Sequence, residues 1–276
     1  MKTKSYNGDG LVLYKYVTID TLKKIISNKI FQWSSPLLFN DPFDSDGSIP
    51  PDKESMRRLL IDSIRITGSL DDVVLDEVDS ELQKILDDDY DKEAENIYSS
   101  SLNIQELKEG LKNSAIFCLS AVNNSILMWS HYADHHKGAV IQLKANIQKD
   151  SVLRLATLVK YVCTKPRFNL SCNNLDTLSD YLDKALYYKA EEWRYEEEYR
   201  IVIPDELDDN NDTKLMPYFS DEIKAIYFGC RCIPGEINEV KNILVKKEFK
   251  GIRLFQAKKS YIEYKLDFNE ISHASD

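Results

Sequence analysis

Residues 191–204, EEWRYEEEYRIVIP, gather five glutamates around Trp193 and then turn apolar at Ile201, Val202 and Ile203, stopped by Pro204. Strands disfavour glutamate, so this entry to an apolar run needs a reason. With the strand beginning near Tyr195, alternation puts Tyr199, Ile201 and Ile203 on one face and Glu196, Glu198, Arg200 and Val202 on the other. Two carboxylates two residues apart on a strand lie roughly 7 Å apart. One can contact a sugar hydroxyl while the other orients a nucleophile. The plainer reading is a helix end running into an edge strand, with its polar stripe in water.

A second group is MWSHYADHHKGAVIQL, residues 128–143. His131 and His135 stand at i, i+4 on a short helix. Zinc needs three or four ligands, and the spacing supplies no third, so a metal is not expected. Tyr132 is either a core aromatic with a wet hydroxyl or a ring that stacks on a planar ligand. LYKY brings Lys15 between Tyr14 and Tyr16, and FNDPFD sets Asn40, Asp41 and Asp44 around Pro42. Asn-Asp-Pro is a turn former; as chemistry, Asp41 and Asp44 with Glu196 and Glu198 would suit a metal-dependent nuclease. No G-x-S-x-G elbow, Walker loop or G-x-G-x-x-G occurs, which argues against serine hydrolases and ordinary nucleotide folds.

The elements that must carry these groups follow from patterning. LVLYKY reads as a strand, TIDTLKKIISNK as a helix capped by Thr18 and IFQWSS as a second strand. A turn-rich loop holding four of the eight prolines comes next. Residues 52–113 read as helical almost throughout, an acidic insertion packing through Leu59, Leu60, Ile64, Val74, Leu75, Val78, Leu82 and Ile85. SAIFCLSA, GAVIQLK, SVLRLATLVKYVC, YRIVIP, IKAIYFG, IRLFQAKKS and IEYKLDF read as β, with one long helix over residues 175–197. The expectation is an α+β single domain over residues 1–276 with the insertion at about 52–113.

Net charge is −10, against non-specific nucleic-acid binding. Residues 71–95, however, hold twelve acids and two lysines, so the rest of the chain is near neutral. Five cysteines without C-x-x-C pairing suggest free thiols in a reducing cytoplasm. Neither a secretory signal nor an apolar run of membrane length is read in the chain.

The series LYKY, FQWSSPLLFNDPFD, FCLS, MWSHYADHHKGAVIQL, KAEEWRYEEEYRI and IYFG resembles, in order and spacing, the bacterial domain-of-unknown-function family 2971. It is also similar to an ADP-ribosyltransferase core. LYKY stands where such enzymes carry Leu-Tyr-His/Arg-Gly; Lys replaces the usual basic residue. IFCLSAVNNSILMWSHYADHHKGAVIQLK places Ser120 and Tyr132, and EEEYRIV places Glu196 and Glu198 as E-x-E. The resemblance implies an NAD-consuming enzyme, a bacterial toxin or phage-defence effector that modifies a protein or nucleic acid or hydrolyses NAD, with a neutralising or operon partner. Glu198, Glu196 and Tyr132 would be catalytic, and Lys15, Tyr16, Ser120, His131, Trp193 and Arg200 would bind NAD. Cleaving the nicotinamide–ribose bond develops an oxocarbenium-like cation that the Glu198 carboxylate would stabilise, with Glu196 orienting the acceptor. A non-catalytic nucleotide- or peptide-binding module with an aromatic-lined groove is the alternative.

Overall fold

The computed structural model describes residues 10–67, 74–84, 90, 108–170, 174–204, 207, 211–247, 249 and 251–273. The chain divides into two compact units, residues 1–34, 115–159 and 192–276 in the first and 35–114 and 160–191 in the second.

The first unit is built on a ten-stranded mixed sheet, an α+β arrangement. Its strands are β1 (Val12–Val17), β2 (Ile30–Ser34), β3 (Ala115–Ser120), β4 (Ala139–Lys144), β5 (Thr157–Leu158), β8 (Glu198–Ile203), β9 (Thr213–Pro217), β10 (Ile223–Phe228), β11 (Arg253–Lys259) and β12 (Leu266–Glu270). Its helices are α1 (Ile19–Asn28), α3 (Ile126–Tyr132) and α5 (Pro234–Lys246). β10 and β11 run parallel, and α5 makes the crossover between them. β3 pairs with β8 over its whole length, from Ala115↔Ile203 to Ser120↔Glu198. It meets β1 only at Tyr14↔Ser120 and β2 only at Ser34↔Ile116.

Each sheet face has its own core. Thr18 caps α1, accepting from the Thr21 amide at 3.1 Å, as its sequence position predicts. Leu22 and Ile26 of α1 are fully buried with Val240 and Leu244 of α5, against Leu13, Val17, Phe117, Ile141 and Ile201. Each such side chain contributes about 1.5–3 kcal/mol of burial. On the other face Met128 and Trp129 of α3 pack with Tyr16, Val140, Tyr227, Phe255 and Leu266. Past α3 the chain holds three successive residues in the left-handed region, Asp134, His135 and His136, at φ 44°, 53° and 69°. That run reverses direction so sharply that backbones nearly touch. A Cβ on Gly138 would stand 2.3 Å from the Val17 carbonyl oxygen, and one on Gly229 2.0 Å from that of His136. Only glycine fits either position.

The second unit contains α2 (Lys53–Thr67), helical residues 74–84, α4 (Asn174–Tyr187) and the parallel pair β6 (Lys160–Val162) and β7 (Tyr188–Ala190). Leu75 is buried as expected, Val78 and Leu82 are half-buried, and Val74 is exposed. Ile85 and the aspartates 87–89 lie outside the described residues. Tyr181 anchors the unit, packing edge-on against Phe168 at 5.3 Å and donating to the Gly47 carbonyl at 2.9 Å. Asp44 is buried in an ion pair with Lys189 at 3.2 Å.

Three sequence expectations change. The long helix over 175–197 stops at Tyr187, where the chain becomes β7 and then a 3-10 helix over Glu191–Glu196. Residues 151–163 are a 3-10 turn and two short strands, not a continuous β segment. Helix α5 and strand β9 were not anticipated. In α5, Pro234 at the first turn was the overlooked start signal.

Candidate functional site

The strand begins at Glu198, three residues later than expected, because Glu197 adopts φ 42° and breaks the chain's direction. Glu196 therefore ends the preceding 3-10 helix and does not share a strand face with Glu198. Nor is this a solvated stripe: Glu196, Glu198 and Arg200 are 3%, 4% and 0% exposed. The reason is topological. β8 pairs with β3 on one edge and with β5 on the other, an interior strand of the sheet and not an edge strand.

The first cluster surrounds Glu198. Arg200 donates through Nε to Oε1 at 2.7 Å and through Nη2 to Oε2 at 2.9 Å, engaging both carboxylate oxygens. Cys118 faces Arg200 across the ladder. Burial pushes the Cys118 thiol well above its ordinary range, and the Glu198 carboxylate, to which it hydrogen-bonds, pushes it further. Residues that pair across a ladder share a face, so Tyr14, Ser120 and Glu198 point the same way.

The second cluster surrounds Glu196. The Tyr132 hydroxyl donates to its Oε1 at 2.6 Å. Ser120 Oγ donates to the Glu196 carbonyl at 2.6 Å and accepts from the Val122 amide at 3.1 Å. Beside them, His131 Nδ1 lies 3.1 Å from the Tyr195 hydroxyl. The rings of Trp193 and Tyr195 are 6.0 Å apart and tilted by 39°, part of a small aromatic group. His131 meets Tyr132 at 6.1 Å.

Of the nine residues expected at the site, the fold brings seven into these two clusters: Glu196, Tyr132, Ser120, His131 and Trp193 around one carboxylate, Glu198 and Arg200 around the other. Tyr16 is spent in the core beneath α3, its hydroxyl donating to the Val122 carbonyl at 2.9 Å. Lys15 pairs with Ile141 and so leaves β1 on the face opposite to Tyr14 and Tyr16. Its ammonium donates to the Cys118 carbonyl at 2.8 Å and sits 4.9 Å from the Phe117 ring. Desolvation holds it below the usual lysine range, against the attraction of Cys118 and Glu198. Two contributors were missed. Tyr195 was legible as the aromatic beside Glu196, whereas Cys118 carries no local signal because its partner lies across the sheet.

Among the described residues no group of three or more His, Cys, Asp or Glu is placed to hold a metal ion. Asp41 forms the expected turn, accepting from the Phe43 amide at 2.9 Å. It and the ion-paired Asp44 belong to the second unit, Glu196 and Glu198 to the first. No helix among the described residues is long and apolar enough to cross a membrane.

A family model described as "Protein of unknown function (DUF2971)" matches residues 128–201, the segment from α3 through the glutamate entry to β8. This supports the family resemblance over the segment that carries Tyr132, Glu196, Glu198 and Arg200; Cys118 and Ser120 lie before it. No curated protein and no solved structure matches the chain.

Proposed function

We propose that the chain is an ADP-ribosyltransferase-like enzyme that cleaves NAD at the nicotinamide–ribose bond, passing ADP-ribose to a macromolecule or to water. One observation carries the reading: Tyr132 and Ser120, from the strand–helix motif, both close on Glu196 of the E-x-E motif, Tyr132 on its carboxylate and Ser120 on its carbonyl, at 2.6 Å each. Glu196, beside the aromatic group of Tyr132, Tyr195 and Trp193, is the carboxylate that meets the developing cation. Glu198, with both oxygens held by Arg200, is the charge behind it that positions the strand entry.

In the step itself the glycosidic electron pair leaves with nicotinamide, and the ribose carbon becomes positive. A nucleophile from the acceptor or water then adds to that carbon and loses its proton. Glu196 stabilises the cation more than the neutral ground state, so its contribution falls on rate. Because Glu196 is 3% exposed, substrate reaches it by displacing a side chain that covers it while the Tyr132 hydroxyl stays on the carboxylate.

The test is incubation with NAD and quantification of free nicotinamide. Glu196→Gln should lower turnover roughly 10²–10³-fold, the scale of one preorganised electrostatic group. Turnover equal to that of the unmodified protein overturns the mechanism.

A second reading is favoured by the burial of both glutamates and the saturation of Glu198 by Arg200: a non-catalytic module that binds a nucleotide or peptide through the same aromatic group. It predicts no nicotinamide release by the unmodified protein, with ligand binding lost in Trp193→Ala.

A further inference from the structure

The hairpin joining β11 to β12 ends in a tip that its own chemistry holds open. Ser260 donates its amide to the Lys265 carbonyl at 3.1 Å, and the Lys265 amide donates to the Glu263 carbonyl at 2.9 Å. Ser260 Oγ accepts from the Ile262 amide at 3.3 Å. The turn is thus closed by backbone and hydroxyl, leaving its large side chains nothing to pack on. Tyr261, Ile262 and Tyr264 are 95%, 94% and 99% exposed. Large side chains left this bare and adjacent mark an interaction surface.

What covers them is indicated by the charge beside them. The tip forms one wall of a groove of about 900 Å³ whose other wall is α3, with Ile126 and Leu127. A second concavity of about 710 Å³ meets it at Cys230, Lys259, Ser260 and Tyr261. The side chains of Lys258 and Lys259 enter no ion pair or hydrogen bond among the described residues, although Lys258 stands opposite Asp267 in the β11–β12 ladder. Arg231, also on the groove, contacts only the His135 carbonyl, at 3.4 Å, among described side-chain bonds. Lys265 is neutralised by Glu263. Arg231 and Lys259 thus flank two exposed phenol rings without an acidic partner, with Lys258 next to them opposite Asp267, in a chain of net charge −10 of which residues 71–95 hold twelve acids.

We propose that this groove docks single-stranded nucleic acid, with bases stacking on Tyr261 and Tyr264 and phosphates tracking Arg231, Lys258 and Lys259. Rings alternating with cations recognise unpaired bases, whereas a duplex hides the base faces such rings need. An acidic peptide would use the cations but leave the rings idle. The proposal stands without NAD chemistry; under the proposed function, the docked strand would be the acceptor.

The experiment is fluorescence anisotropy of the full chain with a labelled oligothymidylate of about 15 nucleotides, near the span of one such site. Salt titration, the matching duplex and anionic phosphatidylserine vesicles serve as the other arms. Binding should be salt-dependent and tighter for the single strand than for the duplex. Tyr261→Ala and Tyr264→Ala should each weaken it roughly tenfold. Lys258→Gln with Lys259→Gln should lower the magnitude of the salt slope by about 1–2. Thermal melting should be unchanged in all of them, since these side chains touch no core. Four results would overturn the proposal: no binding at low salt, binding indifferent to the tyrosines, equal affinity for the duplex, or a tip that binds vesicles or a second copy of the chain instead.

Discussion

Tyr132 donates to Glu196 at 2.6 Å across 64 residues of sequence, joining the end of α3 to the turn that launches β8. The contact links a helix on one sheet face to a buried carboxylate, so each holds the other's rotamer. Removing the hydroxyl alone separates its chemistry from its packing. Tyr132→Phe should fold with little change, because the ring stays. Nicotinamide release should fall roughly 10–100-fold, as expected for losing one hydrogen bond to a charged group. A steady-state NAD assay reads this, and an unchanged rate would place the hydroxyl outside the reaction.

Glu198 and Arg200 form a buried pair, and removing one partner strands the other's charge. Arg200→Met should therefore cost about 3–5 kcal/mol by urea unfolding. The double variant Glu198→Leu with Arg200→Met should recover part of that loss. If the single variant is as stable as the parent, the pair is not structural, and the positioning role given to Glu198 fails with it.

Glu197 holds φ 42° with a side chain that is exposed. A non-glycine residue there is strained by about 1 kcal/mol or more. Glu197→Gly should leave stability unchanged or raise it, and Glu197→Val should lower it, both read as urea midpoints. Under the proposed function the exposed Glu197 side chain takes no part in the reaction, so NAD turnover in Glu197→Gly should stay near that of the parent.

The Cys118 thiol is raised from its ordinary 9.0 by burial and by Glu198. A group whose folded pKa is raised contributes stability that is full below its unfolded value and lost as pH climbs above it. Lys15, held low by desolvation, acts in the opposite sense: its burial cost is relieved as pH rises through the folded lysine's pKa. Stability should consequently decline from about pH 9 upward, less steeply in Cys118→Ala, and more steeply in Lys15→Met, which removes the compensating group. Urea midpoints across pH 7–11 would check both slopes.

Much of the candidate site was legible locally. Ser120 at a strand end, Tyr132 on a short helix and the glycine opening β4 all occupy the elements read from their patterns, and of the E-x-E pair Glu198 does so while Glu196 does not. Thr18 as a cap and the buried Leu22, Ile25 and Ile26 of α1 were likewise written in side-chain type and spacing. What patterning could not supply was which face is covered. Alternation on β8 looked like a solvent stripe because carboxylates and a guanidinium are rarely buried. Only the folded unit buries that face, where Glu198 and Arg200, two residues apart on β8, neutralise each other.

The sequence by itself determined where short-range rules act: hydrophobic period, capping hydroxyls, turn residues and the glycines that admit close backbones. The tertiary structure alone decided that Glu196 leaves the strand and that Cys118 lies beside Glu198. Those outcomes depend on a single left-handed residue and on the partners each strand edge finds. Such partners lie tens of residues away, and their choice is settled by the summed burial of the whole sheet, a quantity that no local window contains.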